Sequence, residues 1–273
     1  MKKAPFDFDI SQYPELNKYK GVLVLGTDTE VGKTMVSGMI ARSLKKQGKT
    51  VDVFKPVASG CRKTPAGMIG EDAEFLAAAA DTRRPLHDVI PIQLGPALAP
   101  NLSARRTGVD INLQTIFDAY NNLAKPADDN SDPAEAVVVE GVGGLLCPIT
   151  DEYWVIHFAK MLKLPVVVVA RPNLGTINHT LLTVDTLRRH DVDILGVIIN
   201  RYWPDAVPTE VEATDDAIIA MQNNPAEIEK LGDVPVLAIV PDSKNSSVAD
   251  ATISDNTQFA IDTINWAKLL KIS

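Results

Sequence analysis

Two cysteines in 273 residues, Cys61 and Cys147, have neither disulfide nor metal-site spacing. They read as ordinary buried or half-buried thiols. Four histidines, His87, His157, His179 and His190, are scattered without metal-ligand spacing. No apolar run reaches the roughly 18 residues that a membrane span needs. The first residues, Met1-Lys2-Lys3-Ala4-Pro5-Phe6-Asp7-Phe8-Asp9, contain no apolar h-region, so they do not read as a secretory signal. There is no basic run, and 27 Lys and Arg against 35 Asp and Glu leave a net charge of −8, which argues against nucleic acid as a partner. These absences leave a cytoplasmic protein as the expectation.

Apolar residues make up 45% of the chain, enough for a full core. Short apolar runs at 22–26, 51–54, 89–92, 136–140, 165–170, 194–199 and 235–240 alternate with helical periodicity at 35–48, 71–80, 111–124, 153–163 and 178–190. Several runs, such as Val166-Val167-Val168-Val169, have no polar face, which suits strands buried on both sides of a parallel sheet. The pattern predicts an α/β fold: one doubly wound, mostly parallel seven-stranded sheet with helices on both faces. Residues 21–273 read as a single domain and 1–20 as an N-terminal extension. The segment 125–133 and the 201–230 region, with Trp203-Pro204-Asp205 and an acidic helix-like stretch, read as surface insertions.

Gly26-Thr27-Asp28-Thr29-Glu30-Val31-Gly32-Lys33-Thr34 lies between an apolar run and a helix-like segment. Strand, tight loop and helix in that order aim backbone N–H groups and a helix N-terminus at one point, which suits a phosphate chain. Lys33 supplies a positive charge for the β- and γ-phosphates and Thr34 a hydroxyl for Mg²⁺. The glycine sits one residue earlier than in the usual G-x-x-x-x-G-K-[ST] spacing. Partition-type ATPases carry a further lysine five residues before the loop lysine; here that position is Asp28.

Ligands of such folds bind beyond the carboxyl ends of the strands. Lys55, in Lys55-Pro56-Val57-Ala58-Ser59-Gly60, follows the second strand and is a candidate oxyanion stabiliser beside Lys33. Asp72 is either a metal ligand or an acid favoured by the dipole of its helix. Glu140 ends the fourth strand, where a magnesium carboxylate belongs, and Gly141, Gly143 and Gly144 let backbone amides approach an anion. Thr176 and Asn178 sit where a glycine turn feeds a helix, suited equally to a substrate carboxylate or to a plain N-cap. Asn200 follows the sixth strand, and its amide can both donate to and accept from a base edge.

Taken together, the motifs at 26–34, 55–60, Asp72, 96–100, 140–144 and 175–179 resemble the dethiobiotin synthetases, in the family's order and over roughly residues 21–245. The resemblance implies a Mg²⁺-dependent ligase that joins 7,8-diaminopelargonate, CO₂ and ATP into dethiobiotin, ADP and phosphate, working as a homodimer with substrate near the subunit interface. It implies that Lys33 and Lys55 hold the carbamate and the transferring phosphoryl group, with Ser59 donating to the same group. It places Thr34, Asp72 and Glu140 on Mg²⁺, and Thr29, Glu30, Val31, Gly32 and Gly143 along the nucleotide, with Gly143 also near the substrate. Asn200 would meet the adenine, and Thr176, Ile177 and Asn178 of the neighbouring subunit the substrate carboxylate. Many relatives have histidine where Asn101 stands and alanine where Val142 stands, both in the substrate region. Two alternatives compete: another P-loop amidoligase, which would carry a nucleophilic cysteine in a glutamine-hydrolysing domain, and a non-enzymatic switch of the partition-ATPase type.

Overall fold

Runs of Val, Ile and Leu without a polar side become the interior of a parallel sheet, because each such strand feeds a core on both faces. The computed structural model describes residues 10–65, 67–203 and 215–272. The expectations touching residues 1–9 of the extension and 204–214 of the 201–230 region lie outside them.

In chain order the elements are β1 (Gly21–Gly26), α1 (Lys33–Lys46), β2 (Val51–Phe54), β3 (Val57–Ser59), β4 (Arg62–Thr64), β5 (Gly67–Ile69), α2 (Glu71–Ala80), α3 (Leu86–Val89), β6 (Ile92–Leu94) and α4 (Pro100–Thr107). They continue with α5 (Leu113–Asn121), β7 (Ala136–Gly144), α6 (Val155–Leu162), β8 (Val166–Ala170), α7 (Thr176–Arg189), β9 (Ile194–Tyr202), α8 (Asp215–Gly232), β10 (Val236–Pro241), α9 (Asp255–Asp262) and α10 (Trp266–Leu269). The main sheet has the order β10-β9-β8-β1-β7-β2 and is parallel throughout. All six carboxyl ends therefore share one edge. The chain leaves β1 toward β2 on one side and later toward β8 on the other, which is the reversal that opens a ligand crevice.

Alternate residues of the central strands feed opposite cores. Leu23 and Leu25 of β1, Val137 and Val139 of β7 and Val166 and Val168 of β8 join Phe117, Tyr120 and Phe158 of α5 and α6. Val22, Val24, Val138, Val167 and Val169 join Val36, Met39 and Ile40 of α1, Phe75 of α2 and Trp266 of α10. Helices thus cover both faces, as expected. Residues 10–20 lie on the first of these cores, with the Tyr13 ring edge-on to Phe117 and Tyr153.

The sheet differs from expectation in two places. It has six strands among the described residues rather than seven. The apolar run at 89–92 splits into α3, which follows Pro85, and the short β6, which pairs with β3 in a sheet of its own. Pro91 has no N–H for a ladder, and the Val89 carbonyl already accepts from the Lys55 backbone N–H at 2.9 Å. Glu140 does not end its strand. It lies within β7 opposite Val24, and β7 runs on to Gly144 through a register shift against β1.

Candidate functional site

The phosphate-type loop sits between β1 and α1 and needs unusual backbone angles. Gly32, at the helix N-cap, has φ 91°, and Glu30 has φ 60°. A Cβ on Gly32 would lie 2.0 Å from Asn200 Nδ2, so no larger residue fits there. Asn200 in β9 donates from Nδ2 to the Val31 carbonyl at 2.9 Å, holding the loop from the neighbouring strand. Lys33 donates to the Asp28 carbonyl at 2.9 Å. Burial pulls the Lys33 ammonium down to about 8, against the opposing pull of Glu140 and with Lys55 adding to the depression. An anion entering the loop would relieve that cost.

Lys55 follows β2 directly, Asp72 stands in the first turn of α2, and Glu140 reaches in from β7. The Lys55 ammonium bonds to Asp72 Oδ2 and, at 2.8 Å, to Glu140 Oε1. Thr34 Oγ1, at the start of α1, donates to the same Glu140 oxygen at 2.9 Å. Burial alone would lower the Lys55 pKa, but the two carboxylates outweigh it and hold the group firmly protonated. Burial raises Glu140 above the ordinary carboxylate range; Lys55 opposes this and the Asp72 charge reinforces it.

These groups line one cavity of about 670 Å³ at the carboxyl edge of the sheet. It gathers Thr29, Glu30, Gly32, Lys33, Thr34, Lys55, Ser59, Asp72, Glu140, Gly143 and Asn200. Val31 is buried beneath the loop. Thr176, Ile177 and Asn178 begin α7 after the left-handed Gly175 and do not line this cavity. Sequence reasoning missed Arg201, Asp242, Ser243, Ser246, Val248 and Thr257, which also line it. Position was the available signal for Asp242 and Ser243: they follow β10 as Lys55 follows β2. Cys147 packs behind Gly143, where an added Cβ would come 2.8 Å from its sulfur, and burial raises its thiol pKa.

The donor set suits a hard divalent cation. Thr34 offers a hydroxyl, Asp72 and Glu140 offer carboxylates, and Glu140 Oε2 is buried without a hydrogen-bond partner. An orphaned anionic oxygen is costly to bury unless a cation or donor meets it. Mg²⁺ typically takes one or two carboxylates together with phosphate oxygens and water, and these residues fit it.

A family model described as an AAA domain matches residues 20–249. The chain is 38% identical to an ATP-dependent dethiobiotin synthetase of Bacillus cereus over 222 residues, covering 81% of this chain and 83% of that protein. It is 36% identical to the protein of the same name from Thermodesulfovibrio yellowstonii over 228 residues, covering 81% and 88%. Among solved structures, a MinD cell division protein of Aquifex aeolicus superposes with a TM-score of 0.53 at 14% identity, covering 93% of this chain and 98% of that one. A ParA family ATPase of Chlorobium tepidum gives 0.50 at 12% identity, covering 90% and 97%. Those two likenesses show a shared α/β fold and nothing further. The sequence identities, on top of the loop and the strand-end residues, show that the chain belongs to the ATP-dependent dethiobiotin synthetases, a family of ligases.

Proposed function

We propose that the chain converts 7,8-diaminopelargonate, CO₂ and ATP to dethiobiotin, ADP and phosphate. The observation that carries this reading is the convergence of two buried lysines, Lys33 and Lys55, on one cavity with Ser59, Thr34, Asp72 and Glu140. Asp72 and Glu140 already offset the Lys55 charge, whereas the Lys33 ammonium, lowered by burial and by Lys55, meets only the Asp28 carbonyl, so an anion entering between the two lysines is favoured. The reaction supplies such anions twice.

One substrate amine attacks CO₂, forming an N–C bond and losing a proton, to give a carbamate. A carbamate oxygen attacks the γ-phosphorus, and the bond to the β-phosphate oxygen breaks to release ADP. The second amine attacks the carbonyl carbon of the carbamic-phosphoric anhydride, loses a proton, expels phosphate and closes the cyclic urea. Lys55 and Ser59 hold the carbamate, and Lys33 the transferring phosphoryl group. Thr29, Glu30, Val31 and Gly32 order the phosphates, Gly143 brings a backbone close to both nucleotide and substrate, and Asn200 stands toward the adenine. Thr34, Asp72 and Glu140 would hold Mg²⁺, which when bound neutralises charge on the phosphate oxygens. Phosphoryl transfer needs mainly positioning and charge stabilisation, so the absence of a histidine from this lining is no obstacle.

In this reading the enzyme is a cytoplasmic homodimer whose domain spans 21–273, preceded by the 1–20 extension. A neighbouring subunit would bring Thr176, Ile177 and Asn178 to the substrate carboxylate. Their place at the start of α7, outside the cavity of their own chain, supports that assignment. No helix of the described residues is long and apolar enough to cross a membrane. Family membership and Asp28 favour this reading over the partition-type switch, and neither cysteine has the setting a glutamine-hydrolysing amidoligase requires. Phosphate release from ATP tests it. Release should need diaminopelargonate and bicarbonate together; equal release without them would refute it.

A further inference from the structure

Asp28, which stands where partition-type ATPases carry a lysine, has no role in the chemistry above, yet it is the most connected residue of the phosphate loop. Its Oδ2 accepts from Arg171 Nη2 at 2.6 Å. Its Oδ1 accepts from the Thr29 backbone N–H at 2.7 Å, and its carbonyl accepts from Lys33 Nζ at 2.9 Å. Arg171 is the first residue after β8, 143 positions away in sequence. Both side chains are close to half exposed, 42% for Arg171 and 49% for Asp28, and ion pairs so placed add little to stability. The Arg171 Nε is buried without a partner, a desolvation cost that the bond to Asp28 has to offset. An arrangement that contributes little to stability and leaves one donor stranded is better explained by what it holds in place.

We infer that Arg171 is a positioning residue for nucleotide binding: it acts through Asp28 to fix the Thr29-Glu30 segment and the Lys33 ammonium of the phosphate loop. The loop is then gripped at two points by consecutive strands of the sheet. The residue after β8 grips Asp28, and Asn200 of β9 grips Val31. Between the grips lie Thr29 and Glu30, whose positive φ of 60° a non-glycine residue keeps only under constraint. Both line the nucleotide cavity. The Arg171 guanidinium acts indirectly. It orients the acid that orients the donors.

This inference rests on the nucleotide-binding part of the proposed function and not on the identity of the amine substrate. Calorimetric binding of Mg-ADP and steady-state kinetics with varied ATP test it on the full chain, in Arg171→Met, Arg171→Lys, Asp28→Asn and the double variant Asp28→Asn/Arg171→Met. The expected result is an increase of about tenfold in both the ADP Kd and the KM for ATP in Arg171→Met, the equivalent of about 1.4 kcal/mol. The kcat at saturating ATP and the KM for the diamine should move by less than about threefold, and the thermal midpoint should hold. Arg171→Lys should recover part of the affinity, since one donor can still reach Asp28. The double variant should be no worse than the poorer single one, because both remove the same link. Unchanged ADP affinity in Arg171→Met, additive losses in the double variant, or a drop in thermal midpoint that accounts for every kinetic change would overturn the inference. Should Arg171→Met fail to fold, Arg171→Lys and Asp28→Asn decide by the same affinity criterion. Weakened ADP binding in a protein that makes no dethiobiotin would leave this inference standing while the function proposed above fell.

Discussion

Two buried ion clusters sit at the two ends of β2, and they are built on different terms. In the strand itself Asp52, 3% exposed, pairs with Arg84, 4% exposed. Both carboxylate oxygens are met: Arg84 donates to Asp52 Oδ2 from Nε at 3.1 Å and Nη2 at 2.6 Å, and Thr82 Oγ1 donates to Oδ1 at 2.8 Å. Arg84 also holds the Lys125 carbonyl at 2.8 Å, at the start of the 125–133 segment. Directly after the strand, Lys55 meets Asp72 and Glu140, but Glu140 Oε2 has no partner and burial raises its pKa. A closed cluster fixes structure. A cluster with an unmet buried charge awaits a ligand.

Substitutions should separate the two ends. Lys55→Met should lower kcat about 10³-fold while nucleotide still binds, since a charged stabiliser in a dry site is worth several kcal/mol of barrier. A rate near that of the parent would remove Lys55 from the chemistry. Arg84→Met should cost about 3 kcal/mol of unfolding free energy in denaturant titration, because Asp52 is left buried and unpaired, with little change in KM or kcat below the transition. A catalytic defect without a loss of stability would erase the contrast. Glu140→Gln should raise the Mg²⁺ concentration for half-maximal rate by about tenfold or more, at little cost in stability. Unchanged magnesium dependence would take Glu140 out of the metal site.

His157, 6% exposed, is the third case: a buried base in neither cluster. Its Nδ1 accepts from the Trp154 backbone N–H at 2.7 Å, and burial, with His190 nearby, lowers its pKa from 6.5 to about 4. Between those values the unfolded chain binds a proton that the native chain refuses, so stability should fall as pH drops from about 6.5 to about 4. His157→Gln should flatten unfolding free energy in that window. An unaltered slope would assign the acid sensitivity elsewhere.

The fold was legible wherever one physical signal dominated. The short apolar runs gave β1, β2, β8 and β10 to within a residue at each end, whereas β9 runs three residues beyond the 194–199 read for it. The loop and the rule that ligands lie past strand ends led to Lys55, and the same edge carries Asp72 and Glu140. Reading failed where signals conflicted. Gly141, Gly143 and Gly144, read as an anion-approaching segment past a strand ending at 140, hid the continuation of β7, and the polar Pro100–Thr107 helix had no apolar stripe to announce it. Contacts between distant segments, such as Arg171 with Asp28, leave no local pattern at all.

The central claim, that an oxygen of the captured CO₂ attacks the γ-phosphate between Lys33 and Lys55, is tested most directly with ¹⁸O-labelled bicarbonate at short reaction times. Mass spectrometry of the products should find one labelled oxygen in the released phosphate and another in the ring carbonyl of dethiobiotin. Unlabelled phosphate alongside a labelled ring carbonyl would contradict it.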